Sequence, residues 1–365
     1  MPMTTNEIII IACNAGASDI HLVVNSAPVV RLNGELLPLD ASELSKLVLG
    51  GKTVDKLSPV DTERLAREMM NEEQYNKFQQ VGELDFSYSL QGISRFRVNA
   101  FKQRGSVSIA LRQIKSNILT FAELGLPETL EALCRKARGL VLVTGPTGSG
   151  KSTTLAAMID LINRTSRQHI ITLEDPIEFM HQHKKCIINQ REVGKDTVSF
   201  ASALRSALRE DPDVILVGEM RDPETIGIAI TAAETGHLVF GTLHTSSTAQ
   251  SIDRIIDIFP AYQQQQIKVQ LANSLQGVVS QALIPRLDKP GRAVAVEVLV
   301  ANHAVRNLIR EGKTYQIINQ IQTGARFGMQ TFDAALRELC KKKMISREEA
   351  LARASDPVAL TKLLN

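Results

Sequence analysis

Tryptophan is absent from the 365 residues, and the other aromatic rings are eleven phenylalanines and four tyrosines. So few rings, with no basic stretch interleaved among them, supply no stacking platform for nucleic-acid bases. Charge of one sign is lacking too: 42 Lys and Arg against 39 Asp and Glu leave a formal net charge of +3. That is too weak to argue for nucleic acid or an anionic membrane as partner. The short basic run Lys341-Lys342-Lys343 reads as a solvated helix end. Four cysteines, Cys13, Cys134, Cys186 and Cys340, stand far apart with no C-x-x-C pair. This argues against a zinc site or a disulfide framework and suits a reducing compartment. No stretch approaches the roughly 18 apolar residues that mark a membrane span. Near the start, Ile8-Ile9-Ile10-Ile11 follows Glu7 without a basic flank, so neither a signal peptide nor a span is expected and a cytoplasmic location is.

Against these absences stands an ordinary globular composition, 44% hydrophobic and 22% charged, long enough for two or three domains with their own cores. Its most informative stretch is Gly145-Pro146-Thr147-Gly148-Ser149-Gly150-Lys151-Ser152, which fits the phosphate-loop pattern G-x-x-x-x-G-K-[ST]. Before it, Leu140-Val141-Leu142-Val143-Thr144 has the length and β-branched character of a buried strand. After it, Leu155, Met158, Ile159 and Ile162 recur at helical spacing within Thr154 to Asn163. Glycines let successive N–H groups turn inward on phosphate oxygens at the positive end of a helix. In that role Gly145 to Ser152, with Thr153 beside them, hold the phosphates, Lys151 reaches the β- and γ-phosphates, and the Ser152 hydroxyl ligates Mg²⁺. ATP and Mg²⁺ are the cofactors this implies.

Phosphoryl transfer also needs a metal ligand, a water-orienting group and positive charge at the transition state. Asp213-Val214-Ile215-Leu216-Val217-Gly218-Glu219-Met220-Arg221-Asp222 is an apolar strand delivering an acid at its C-terminal end, where α/β sheets hold ligands. Gly218 occupies the usual Walker B aspartate position, so Glu219 takes the acidic role, polarising the attacking water or reaching Mg²⁺ through water. Ile170 to Glu178 repeats the pattern and makes Glu174 a second candidate. The strand Leu238 to Leu243 carries His237 before it and His244-Thr245 after it. A lone histidine is more often structural, but two flanking one strand beside these motifs point to function, with His244 placed to sense the γ-phosphate.

Strand alternation (Leu140–Thr144, Ile170–Leu173, Val214–Val217, Leu238–Leu243) with amphipathic helices predicts an α/β fold with a parallel sheet covered on both faces. Upstream, Phe96, Val98 and Ala100 alternate with Arg95, Arg97 and Asn99, and Val107, Ile109 and Leu111 leave Arg112 opposite. A short helix over 5–15, a strand from Ile20 to Val24, and an Asn33-Gly34 hairpin between Val29–Leu32 and Glu35–Leu37 are expected in that region. Residues 40–82 read as polar and mostly helical, broken at Gly50-Gly51. The expected organisation is an α+β domain over 1–114, a linker over 115–138, an ATPase domain over 139–302 and a helical region over 303–365. Beyond 250 only Ala293–Val300 reads as a strand.

Taken together, these motifs resemble the secretion-superfamily ATPases of the type IV pilus system. The resemblance covers almost the whole chain: Ala17 to Leu22, Arg95 to Asn99, the phosphate loop, the Asp box around Ile170–Glu178, Gly218 to Asp222, and the His box from Gly236 to Thr245. It implies a PAS-like α+β N-terminal domain and a RecA-like P-loop ATPase domain with C-terminal helices. It further implies a homohexamer with nucleotide between domains, in which N-terminal arginines reach the phosphates: Arg97 and Arg112 first, Arg95 and Arg104 less directly. Ala304-Val305-Arg306-Asn307-Leu308-Ile309 is similar to the Ala-Ile-Arg-Asn-Leu-Ile mark of the retraction branch, and no tetracysteine zinc site is present. The implied function is an Mg-ATP-hydrolysing motor of pilus retraction and twitching. It would sit at the inner face of the inner membrane through a platform protein, with a paralogous retraction ATPase as further partner and no direct nucleic acid. An accessory retraction ATPase, a type II secretion or DNA-uptake ATPase, and a regulatory nucleotide-binding module are the alternatives.

Overall fold

In the computed structural model, residues 3–32, 34–39, 55–114 and 117–364 are described. The chain divides into two compact units, Met1–Ser116 and Asn117–Asn365.

The first unit opens with the helix Thr5–Asn14, followed by β1 (Asp19–Leu22), β2 (Val29–Leu32) and β3 (Glu35–Pro38). Two helices, Pro59–Met69 and Glu72–Val81, precede β4 (Glu83–Leu90), β5 (Ser94–Gln103) and β6 (Ser106–Ile114). The sheet is antiparallel in the order β3-β2-β1-β6-β5-β4. Its alternation is the one expected: Phe96, Val98, Ala100, Val107, Ile109 and Leu111 are all buried, packed with Ile8, Leu65 and Phe78. Capping boxes start the helices, with Ser58 and Asp61 bonding reciprocally ahead of Pro59. The hairpin pairs Leu32 with Glu35, and Gly34 takes the positive φ that its turn needs. Asn33 of that turn, and the Gly50-Gly51 break, lie outside the described residues.

The second unit holds β7 (Gly139–Thr144), β8 (His169–Glu174), β9 (Ile187–Glu192), β10 (Val214–Val217), β11 (Leu238–Leu243), β12 (Leu275–Pro285) and β13 (Arg292–Val300). Their order is β13-β12-β7-β11-β10-β8-β9, parallel except where β13 returns antiparallel beside β12. Period-two alternation divides the strands between two cores. Val141 and Val143 meet Leu155, Met158, Ile159 and Ile162 of the helix Lys151–Thr165. Leu140 and Leu142 face the other way, with Ile226, Ala229 and Ile230 of the helix Pro223–Glu234.

One expectation fails. The chain beyond 250 reads as helical apart from one strand, yet Leu275–Pro285 is an 11-residue strand beside β7. Its residues are buried on both faces, so the apolar run lacks the alternation that marks a half-buried strand. Gly277 serves close packing there: a Cβ would lie 2.9 Å from the Leu299 carbonyl oxygen. In the C-terminal region the helix Phe332–Lys341 lays Ala335 and Leu336 against Ile284, Ala293 and Ala295 of the β12–β13 hairpin. Among the described residues no helix is long and apolar enough to cross a membrane.

Candidate active site

The C-terminal ends of β7, β8, β10 and β11 open into a cleft of about 440 Å³ within the second unit. The phosphate loop forms its floor. Gly145 adopts φ +144, and a Cβ there would lie 2.4 Å from the Gln281 carbonyl oxygen and 2.6 Å from Ser149 Oγ. Gly150, at φ +91, begins the helix Lys151–Thr165 with no side-chain cap, leaving first-turn N–H groups to an outside acceptor. From β12, Gln281 Nε2 donates to the Ser149 carbonyl at 2.8 Å, buttressing the loop from behind.

Lys151 folds over this loop, its Nζ donating to the carbonyls of Gly145 at 2.8 Å and Pro146 at 3.2 Å. Partial burial pushes its pKa down, while Glu219 and Glu178 pull it back up. Thr147, Gly148, Gly150, Ser152 and Thr153 line the same cleft. Ser152 Oγ donates to Glu178 Oε1 at 2.8 Å.

Two strand ends deliver the expected acids. Glu174 closes β8, where its Oε1 accepts from Thr172 Oγ1 at 2.6 Å and Gln190 Nε2 at 3.2 Å. Burial pushes its carboxyl above the usual range despite these donors. Glu219 follows β10, and its Oε1 lies 2.7 Å from His244 Nε2, with Arg221 against the same oxygen. Lys151, Ser152, Glu174, Glu219 and His244 therefore converge on one cleft. A hydroxyl and carboxylates beside a phosphate cradle are a hard-oxygen set suited to Mg²⁺ carried by a nucleotide.

His237 behaves differently. It precedes β11, whereas His244 follows it, and six strand residues at about 3.3 Å each separate them. Its Nδ1 lies 3.0 Å from the Ala232 carbonyl oxygen at the end of the helix Pro223–Glu234. The functional weight given to two flanking histidines thus falls on His244 alone, because a parallel strand points only one end at the site.

In the first unit, Arg97 and Arg112 stand directly opposite each other on β5 and β6, on the polar face of the sheet. Arg112 Nε donates to Asp19 Oδ1 at 2.7 Å, and Arg97 lies 3.9 Å from Asp85; both side chains are more than half exposed. The Arg112 and Ser18 hydrogen bonds hold the Asp19 carboxyl low against the opposing effect of its burial. Arg95 Nη2 donates to Ser87 Oγ at 3.4 Å, and Arg104 sits at positive φ in the β5–β6 turn.

Glu178, Arg292 and Gln281 are further residues at the site that the motifs do not single out. For Glu178 the signal in the sequence is its place four residues after Glu174. Arg292 lines the cleft from the start of β13, and Gln281 belongs to the strand that read as helix.

The model of the family described as "Type II/IV secretion system protein" matches residues 2–326. The chain is 48% identical over 360 residues to the "Type IV pilus retractation ATPase PilT" of Pseudomonas aeruginosa, covering 97% of this chain and 99% of the relative. It is 49% identical over 334 residues to the "Twitching motility protein" of Neisseria gonorrhoeae, covering 92% and 86%. Among solved structures, "Crystal Structure of the Pilus Retraction Motor PilT and Bound ADP" superposes with a TM-score of 0.88 at 49% identity, covering 99% of both chains.

Proposed function

This chain belongs to the type II/IV secretion system protein family, and on that premise we propose that it is an ATP-hydrolysing motor driving type IV pilus retraction. The observation that carries the proposal is the convergence of Lys151, Ser152, Glu174, Glu219 and His244 on one cleft, in a chain matched end to end by a retraction motor with bound ADP. The loop N–H groups and Lys151 hold the phosphates. For this, Lys151 leaves the Gly145 and Pro146 carbonyls for phosphate oxygens, a stronger charge-assisted pairing. Ser152 would hold Mg²⁺, which would supply charge neutralisation at the phosphates. Glu219 orients the attacking water, and His244 aims the Glu219 carboxylate. Glu174 completes the acidic end of the cleft.

Positive charge at the transition state comes from Arg97 and Arg112: the Arg97 guanidinium is only loosely paired with Asp85, whereas Arg112 exchanges its 2.7 Å hydrogen bond to Asp19 for a phosphate oxygen. The working form is a homohexameric ring held at the inner face of the membrane by a platform protein of the pilus machinery. Deleting the gene in its source organism tests the assignment. Cells should remain piliated but lose twitching, and a deletion strain that still twitches would overturn the retraction role.

A further inference from the structure

A Walker B aspartate shares the metal with the phosphate-loop serine in other P-loop NTPases, yet Gly218 holds that position here and has no carboxylate. No side chain fits easily: a Cβ on Gly218 would lie 3.0 Å from the Leu173 carbonyl oxygen and 3.2 Å from Glu174 Cα. Of the nearby acids, Glu219 is engaged by His244 and Arg221. Glu174 accepts from Thr172 and Gln190. Glu178 alone is hydrogen-bonded to the Ser152 hydroxyl, at 2.8 Å.

We infer that Glu178 replaces the missing Walker B carboxylate by taking the Ser152 hydroxyl proton as acceptor, which turns the Ser152 oxygen lone pairs towards the metal of a bound nucleotide. A hydroxyl has one proton and two lone pairs, so fixing the proton fixes the direction of the pairs. Partners of this kind orient metal ligands without touching the metal, and removing them weakens metal binding about 10–100-fold. Ser152 and Glu178 face each other within the same cleft. Among the described residues no three His, Cys, Asp or Glu side chains could hold a metal by themselves. A site built from one serine oxygen and nucleotide phosphates therefore gains much from a correctly turned hydroxyl. Glu178 is thus a positioning residue, and the inference rests on the ATPase reading.

Two binding measurements on the full chain test it: mant-ADP affinity in excess EDTA, and Mn²⁺ affinity in the presence of ADP followed by electron paramagnetic resonance. Glu178→Ala should weaken Mn²⁺ about tenfold or more and leave metal-free mant-ADP binding unchanged. Glu178→Gln, which keeps the shape and a neutral acceptor oxygen, should fall between. The double variant Ser152→Ala with Glu178→Ala should bind Mn²⁺ no more weakly than Ser152→Ala alone, since one residue acts through the other. Mn²⁺ affinity of Glu178→Ala within about twofold of wild type, or additive losses in the double variant, would overturn the role. Wild-type protein that binds neither mant-ADP nor Mn²⁺–ADP would instead bring down the nucleotide reading itself.

Discussion

His244 Nε2 lies 2.7 Å from the Glu219 carboxylate, so the ends of the neighbouring parallel strands β11 and β10 meet over one charge. Arg221 reaches the same oxygen, leaving Glu219 held from two sides.

Glu219→Gln should keep nucleotide binding and lower turnover about 10²–10⁴-fold, the span of a lost acid–base group. His244→Ala should lower kcat by less, because the carboxylate survives but loses its aim. Steady-state ATP hydrolysis alongside mant-ADP titration separates the two effects. Unchanged turnover in Glu219→Gln would remove that residue from the mechanism.

Lys151→Ala should abolish nucleotide binding, since the phosphate charge loses its main cation within the loop. The melting temperature of the free protein should not fall, as the lysine hydrogen-bonds only to the loop carbonyls of Gly145 and Pro146. Retention of mant-ADP binding at wild-type affinity would contradict the assignment.

Gly218→Ala should destabilise the second unit by about 1–3 kcal/mol, the usual range for forcing volume into packed structure. The new methyl would press on the Leu173 carbonyl oxygen at 3.0 Å. A melting temperature equal to wild type would show that the strand ends relax freely.

Glu174 gives a pH-dependent prediction. Its folded pKa is raised by burial above the ordinary value of 4.5, so the native state binds this proton more tightly than the unfolded chain does. The contribution is fully present below 4.5 and is lost as pH rises through the folded value. Glu174→Gln should therefore melt higher than wild type at pH 8, with the gap closing towards pH 4.5, while turnover falls. A gap that is constant with pH would exclude a buried carboxylate as its origin.

Arg97→Ala should fold normally, its side chain being half exposed and 3.9 Å from Asp85, whereas Arg112→Ala takes away the 2.7 Å partner of Asp19 and should melt lower. The one that supplies transition-state charge should lose turnover by about 10³-fold or more at saturating ATP. If both variants hydrolyse ATP at the wild-type rate, the positive charge must come from elsewhere, with Arg292 in the cleft wall as the next candidate.

Much of this is legible in the sequence. The phosphate loop announces itself because its chemistry is local: glycines, lysine and serine act at a fixed spacing within one turn. The N-terminal sheet was legible from alternation, since Phe96, Val98 and Ala100 face a core while Arg95 and Arg97 do not. Strand β12 was not, because burial on both faces erases the period on which the reading depends. Asn33 and the Gly50-Gly51 break belong to stretches outside the described residues.

Sequence alone determined the nucleotide loop, the acids after β8 and β10, and the arginine face of the N-terminal sheet, because each follows from spacing within one element. Tertiary structure decided which of these residues share a site. Parallel strands bring Glu174, Glu219 and His244 to the same edge and send His237 to the other, a consequence of strand direction that no local pattern encodes. It also decided that Gly218 stays a glycine against the Leu173 carbonyl, and that Glu178, rather than a Walker B aspartate, faces Ser152. Contacts between separate elements depend on where the backbone runs, and only the fold specifies that.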